Sequence, residues 1–271
     1  MPLPAPSKEL TALVTGASSG IGEAIARDLA RRGHGLTLVA RSEGKLEDLA
    51  AELRSDNRRV EVLAADLSER DARAALPGRV AALGLELSIL VNNAGLSTLG
   101  SIAESKPATE MYMVEVDVMA VVDLTCRFLP SMVERGSGGV LNVASTAAFQ
   151  PLPGQAGYGA SKAFVLSFTE SVHGELLGSG VTATALCPGP VDTGFGEAAG
   201  FNIDDAESAL PSFMWESPEK VARIGVDALA AGRAVAVAGT ANRAAAAMVR
   251  FVPHRLLVPL LAKHHPALRR K

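Results

Sequence analysis

Tyr158 and Lys162 stand four residues apart in Tyr158-Gly159-Ala160-Ser161-Lys162, a spacing that puts both side chains on one face of a helix. An ammonium beside a phenol favours phenolate and draws the tyrosine pKa down from its ordinary value of about 10 toward working pH. Such a tyrosine can give a proton to a substrate oxygen or take one from it. The same spacing also occurs on plain solvated helix faces, so the pair acquires meaning only from its surroundings.

A second chemical feature lies near the start. Thr15-Gly16-Ala17-Ser18-Ser19-Gly20-Ile21-Gly22 follows one apolar run and opens a helical pattern. Glycines at a strand-to-helix turn let backbone amides approach a phosphate, and the helix start adds unpaired N–H groups and a positive dipole end. The alternative is a glycine-rich turn without function. The next strand-like run ends in Leu38-Val39-Ala40-Arg41-Ser42. Dinucleotide sites place an acid here against the free ribose hydroxyls of NAD, or an arginine for the 2′-phosphate of NADP. With the acid missing and Arg41 in its place, NADP is expected over NAD, although a solvated arginine opening a helix also fits.

Seven short apolar runs would position these groups: 10–14, 35–40, 60–64, 87–91, 139–144, 181–187 and 234–237. They are continuous rather than alternating, as parallel strands covered on both faces should be. Helical patterns separate them at about 20–32, 43–55, 68–83, 108–135, 157–178 and 217–231. This alternation predicts an α/β fold, a doubly wound parallel sheet with ligands at the carboxyl ends of its strands. No linker or repeat divides residues 1–271, so a single domain is expected. It would carry a long loop at about 190–215, holding Phe195, Phe201 and Phe213, and a C-terminal extension at about 241–271.

The net charge of −3 gives no global attraction to nucleic acid. Cys126 and Cys187 sit in apolar runs and read as buried thiols of a reducing compartment. No apolar run reaches the roughly 20 residues that span a bilayer. The opening Met1-Pro2-Leu3-Pro4-Ala5-Pro6 lacks the character of a signal peptide, so a cytoplasmic protein is expected. The tail carries Arg250, Arg255, Lys263, Arg269, Arg270 and Lys271 with no acid beside the run Leu256 to Leu261. It can lie peripherally on an anionic membrane, or pack on the domain or a neighbouring subunit.

Thr15-Gly-x-x-x-Gly-x-Gly22, Asn92-Asn93-Ala94-Gly95, Ser145, Tyr158-x-x-x-Lys162 and Pro188-Gly189 occur in this order. The ordered set resembles the single-domain short-chain dehydrogenase/reductase family over roughly residues 8 to 240, and with the basic extension most resembles its ketoacyl-reductase-like branch in actinobacteria. The resemblance implies a Rossmann-type domain and hydride transfer between a nicotinamide and a carbonyl or alcohol. It places the cofactor against Gly16, Ser18, Ser19, Gly20, Ile21, Gly22 and Arg41. Asp66, with Leu67 beside it, corresponds to the residue that bonds the adenine amine, although Ser68 with Asp71 also reads as a helix cap there. Asn92, Asn93, Ala94 and Gly95 match the segment that steadies the sheet and lines the cofactor. Pro188, Gly189, Val191 and Thr193 match the one that holds the nicotinamide carboxamide.

By the same resemblance Ser145, thirteen residues before Tyr158, hydrogen-bonds the substrate carbonyl, Tyr158 delivers the proton and Lys162 holds the nicotinamide ribose. Asp117 departs from the pattern, since the family usually has an asparagine there to hold a proton-relay water. An ionised Asp accepts hydrogen bonds but donates none, so an altered relay or weakened catalysis is expected. No metal is expected. Leu96, Ser97, Ala147, Phe149, Gln150, Leu152, Phe195, Phe213, Met214 and Trp215 should surround the substrate. That mainly apolar lining suits a ketoacyl-like or other hydrophobic carbonyl. The resemblance further implies a homodimer or homotetramer paired through the helices around 108–135 and 157–178. A regulatory or scaffold protein that binds NAD(P) without much turnover is the alternative of a different class.

Overall fold

The computed structural model describes residues 3–55, 58–198, 211–249 and 251–268. Phe201, Arg250, Arg269, Arg270 and Lys271 lie outside the described residues. Each apolar run forms a strand: β1 Leu10–Thr15, β2 Gly35–Ala40, β3 Val60–Ala64, β4 Glu86–Asn92, β5 Gly138–Val143, β6 Val181–Cys187 and β7 Val235–Val237. They pair in parallel, in the order β3-β2-β1-β4-β5-β6-β7. The order reverses between β1 and β4, and there the strand ends part to leave a crevice.

Helices cover both faces, which is why the strands show no polar alternation. On one face lie α1 (Gly20–Arg31), α2 (Glu43–Leu53) and α7 (Pro218–Ala230), where Ile25, Leu29, Leu46, Val226 and Leu229 pack on Leu36, Leu38 and Leu186. On the other lie α3 (Arg70–Ala82), α5 (Ala120–Arg135) and α6 (Ala156–Glu175), where Leu76, Leu124, Phe128, Met132 and Val172 meet Leu13, Leu90 and Val140. Each fully buried side chain of this size stabilises the fold by about 1.5–3 kcal/mol. The helix α7 starts with Ser217 accepting the N–H of Lys220 and Pro218 in its first turn, so its first exposed donors are satisfied.

The helical stretch expected over 108–135 is present from Pro107 to Arg135, but it is not α-helical throughout. After α4 (Pro107–Val114), residues Glu115–Met119 form a π-turn before α5 begins. The extra residue that a π-turn inserts rotates the face of the helix, and such turns concentrate at functional positions. Here it turns Asp117 wholly inward. Arg73, itself buried, clasps the segment from outside: its guanidinium reaches Glu115 at 3.2 Å, Asp123 at 3.1 Å and the carbonyl of Leu67 at 2.7 Å.

The extension folds as well. Two helices, α8 (Thr240–Val249) and α9 (His254–His264), return over the carboxyl ends of the strands. Leu257 is buried, whereas Leu256 stays exposed, so the leucine run is divided between inside and outside. Two other expectations are corrected. Cys126 lies on the outer face of α5 and is exposed, while Cys187 is buried at the end of β6. Ser68 does not cap a helix with Asp71, because α3 begins at Arg70; the N–H and hydroxyl of Ser68 instead donate to Asp66. Among the described residues no helix is long and apolar enough to cross a membrane.

Candidate active site

The crevice at the β1/β4 divide opens into a cleft of about 820 Å³. Its floor is built from the glycine turn. Gly16 and Gly20 hold φ of 63° and 58°, the left-handed region that glycine adopts without strain. Gly22 does not line the cleft but is needed for packing: a Cβ there would lie 2.3 Å from the carbonyl oxygen of Gly16 and 2.4 Å from Nδ2 of Asn93. Thr15 and Asn93 lock the turn to β4. The Thr15 hydroxyl accepts the N–H groups of Asn93 and Ala94 at 2.9 and 3.0 Å, and Asn93 Nδ2 donates back to the Thr15 carbonyl at 3.0 Å. Ser19 precedes α1 without capping it through its side chain, so the first N–H groups of α1 are available to an anion beside Ser18, Gly20 and Ile21 in the cleft lining. These features fit a dinucleotide pyrophosphate.

At the adenosine end, Arg41 and Ser42 follow β2, and Asp66 and Leu67 follow β3. A residue missed in the sequence joins them. Tyr112 of α4 accepts from Arg41 at 2.7 Å and donates its phenol hydrogen to Asp66 at 3.3 Å. Partial burial pushes the Asp66 carboxyl up, but the two Ser68 donors, the Arg41 charge and Tyr112 outweigh it and hold the group below the ordinary carboxylate range. Arg41 is thus tied through Tyr112 to Asp66 beside the cleft, and no acid stands at the end of β2.

Asn92 plays a different part from its neighbours. It is buried under the sheet, where Nδ2 donates to Asn142 at 2.9 Å, and Asn142 donates to Thr169 of α6 at 2.9 Å. This polar ladder fixes α6, and therefore Tyr158 and Lys162, against β4 and β5. Asn93, Ala94, Gly95 and Leu96 are the residues that line the cleft.

Ser145, Tyr158 and Lys162 converge on the same wall. The N–H of Ala147 donates to the Ser145 hydroxyl oxygen at 3.1 Å, which orients Oγ and leaves its hydrogen to donate. Lys162 Nζ lies 5.6 Å from the centre of the Tyr158 ring, donates to the carbonyl of Val143 at 3.3 Å, and forms an ion pair with Asp117 at 3.0 Å. The other Asp117 oxygen accepts the N–H of Leu96 at 2.7 Å. Gly95 makes room for this pair, since a Cβ there would fall 3.0 Å from Nζ and 3.4 Å from both Asp117 oxygens. Asp117 stands behind Lys162 and does not line the cleft.

The charge balance corrects one expectation. Burial pushes the Tyr158 phenol above its ordinary value; Lys162 and the Ser145 hydroxyl oppose this without prevailing, and Asp117 adds to it. The phenol is therefore held as an acid at neutral pH rather than drawn toward phenolate. Burial lowers Lys162, but Asp117 and the tyrosine more than offset it and keep the amine an ammonium. Burial also raises Asp117, against the pull of Lys162 and the Leu96 N–H.

Pro188, Gly189, Val191 and Thr193 line the cleft opposite, and the Thr146 N–H donates to the Pro188 carbonyl at 2.8 Å. Thr193 packs close over Gly20, so this segment crosses toward the glycine turn. Phe195 lies with its ring centre 5.9 Å from that of Tyr158. Among the expected substrate contacts, Leu96, Ala147, Phe149, Gln150, Leu152, Met214 and Trp215 line the cleft. Ser97 and Phe213 do not; Ser97 sits behind Gln155, and Phe213 is exposed. Residues 199–210 of the loop lie outside the described residues.

The fold and cleft define a dinucleotide-binding α/β oxidoreductase, and the comparisons give the family. The family model described as short chain dehydrogenase matches residues 10–201, and the chain belongs to that family. A short chain dehydrogenase of Pseudocercospora fijiensis is 40% identical over 188 residues, which are 69% of this chain and 61% of that protein's length. A very-long-chain 3-oxoacyl-CoA reductase of Anas platyrhynchos is 34% identical over 79% of this chain and 67% of its own. Among solved structures, a short-chain dehydrogenase from Sphingobium yanoikuyae in complex with NADPH superposes with a TM-score of 0.78 at 31% identity, covering 92% of this chain and 95% of that one.

Proposed function

We propose that the protein is an NADP-dependent reductase of hydrophobic ketones, working from one dinucleotide-binding domain completed by the 190–215 loop and the C-terminal extension. The observation that carries this reading is the buried Asp117–Lys162 pair set behind a protonated Tyr158 and Ser145 on the cleft wall. NADPH, whose nicotinamide supplies the hydride when bound, fits the residues present. The glycine turn and the α1 start would hold its pyrophosphate, Arg41 its 2′-phosphate, Asp66 and Leu67 its adenine, and Pro188 to Thr193 its carboxamide. The NADPH complex of the Sphingobium relative supports the choice of cofactor.

Ser145 then donates a hydrogen bond to the substrate carbonyl oxygen and stabilises the charge that develops there. Tyr158 gives its phenol proton to that oxygen. Lys162 stays charged beside it, stabilises the phenolate that remains, and would hold the nicotinamide ribose. Asp117 fixes the ammonium directly, in place of an uncharged amide at this position. With the phenol held as an acid, the site favours carbonyl reduction at neutral pH, and alcohol oxidation should rise as pH rises. An apolar substrate end, and the likeness to a 3-oxoacyl-CoA reductase, support a ketoacyl-like or lipid-like ketone. Pairing between subunits is part of the same proposal, supported by Met119, Phe164 and Val133 left exposed on and beside α5 and α6. The inward Leu257 favours a tail packed on the domain over one lying on a membrane.

The test is loss of nicotinamide absorbance with NADPH and with NADH over a panel of long-chain 3-oxoacyl thioesters, steroid ketones and sugars. Consumption of NADPH with the apolar ketones is expected. Faster turnover of sugars, or preference for NADH, would refute the substrate class or the cofactor respectively.

A further inference from the structure

The substrate end of the cleft is closed by a part of the chain beyond the family-matched span of 10–201. Helix α8 is pinned first: Asn242 Nδ2 donates to the carbonyls of Ala238 and Met214 at 3.0 and 2.9 Å. Helix α9 follows, with Leu261 turned to the cleft and Leu256 turned away, 62% exposed. After α9 comes His265, and its surroundings form a built seat. Gly154 holds φ of 89°, and a Cβ on it would lie 2.4 Å from Nδ1 of His265, so only glycine admits the imidazole. The N–H of Ala267 donates to Nδ1 at 3.3 Å, which leaves the ring proton on Nε2, 3.4 Å from Oε1 of Gln155. Gln155 uses its own amide hydrogen on Ser97 Oγ at 2.7 Å, so every group in the chain has one fixed direction. Burial keeps the imidazole below its ordinary pKa and so neutral. The seat belongs to the loop that leads directly into α6, which starts at Ala156 and carries Tyr158.

We infer that His265, seated on Gly154 and Gln155, holds the C-terminal helix as the outer wall of the substrate site, and that this wall, through Leu261, selects bulky uncharged ketones. It rests on the reductase reading above for the identity of the ligand. Two features make the wall selective. Helix α9 meets the cleft through the apolar side chain of Leu261, and among the cleft-lining residues the lysine and arginine side chains, Lys162 and Arg41, are at the reacting centre and the adenosine end. His265 is a positioning residue here, and Leu261 the contact.

Trp215 is the single tryptophan of the chain and lines the same cleft, so ligand binding can be read from its fluorescence without turnover. The probe is androst-4-ene-3,17-dione, titrated into wild type, His265→Ala, Leu261→Gln and the exposed-face control Leu256→Gln. Losing the apolar contact or its anchor should weaken the steroid about tenfold or more. The Leu256→Gln control should match wild type in steroid affinity, and NADPH affinity should stay within about twofold in all four, which a general loss of folding would not allow. Equal steroid affinity in all four proteins, or no response of Trp215 in wild type, overturns the inference. Steroid binding that is weakened in both variants but unaccompanied by NADPH consumption supports the wall and refutes the reductase reading.

Discussion

Replacing Asp117 by Asn removes one charge while keeping the shape of the side chain and the acceptor for Leu96. At 3.0 Å from Lys162 the gross attraction is about 5–6 kcal/mol at an effective dielectric of about 20. Desolvation of two buried ions offsets most of it, but removing one partner leaves the other charge alone, which costs about 3–5 kcal/mol. Asp117→Ala should lose that much. Asp117→Asn should lose about 2 kcal/mol less, because its oxygen still accepts the Leu96 N–H. The pH dependence gives the sharper reading. In the wild type Lys162 is raised when folded, so its stabilisation is present below the ordinary lysine pKa of about 10.4 and lost as pH rises through the higher folded value. In Asp117→Asn burial prevails, the folded lysine falls below its unfolded value, and stability rises with pH up to about 10.4. Urea denaturation of both proteins at steps from neutral to about pH 10.5 should show the variant's deficit shrinking as pH rises. A deficit that is absent at neutral pH, or constant across the range, would refute the ion-pair reasoning. Over the range where Lys162 stays protonated, loss of the Asp117 charge should also move the Tyr158 limb of the alcohol-oxidation profile to lower pH; an unmoved limb would show that the carboxylate does not reach the phenol.

Gly95→Ala should press a methyl group between Lys162 and Asp117, cost about 1–3 kcal/mol in thermal or urea unfolding, and lower kcat more than it raises the NADPH KM. Tyr112→Phe removes the phenol oxygen that joins Arg41 to Asp66; kcat/KM with NADPH should fall about tenfold or more with NADH little changed, the loss of a charge-assisted hydrogen bond. Arg41→Ala should erase the preference for NADPH outright, and a preserved preference in that variant would remove Arg41 from the cofactor site.

The strands were legible because a parallel strand buried on both faces is a continuous apolar run, and the seven runs match the seven strands nearly residue for residue. The glycine turn and the Ser145, Tyr158 and Lys162 set were legible because each depends on short-range spacing along the chain. Tyr112, Arg73, Gln155 and His265 were not, since their partners lie far away in sequence and no local pattern marks them. The π-turn at Glu115–Met119 left only a faint trace, the acids Glu115 and Asp117 in the otherwise apolar stretch Met113 to Ala120. The effect of Lys162 on Tyr158 was anticipated in sign but not in outcome, because the burial that outweighs it is a tertiary property. The leucines of the tail were visible, but which of them turn inward depends on where α9 lands.

The central claim is that Tyr158 gives the proton to a ketone reduced with NADPH. Its most direct test is kcat for ketone-dependent NADPH oxidation by wild type and Tyr158→Phe, with NADPH affinity measured alongside. A fall in kcat of about 10²–10⁴-fold with affinity unchanged within about threefold is predicted. A variant that keeps kcat close to the wild-type value while binding NADPH normally would contradict it.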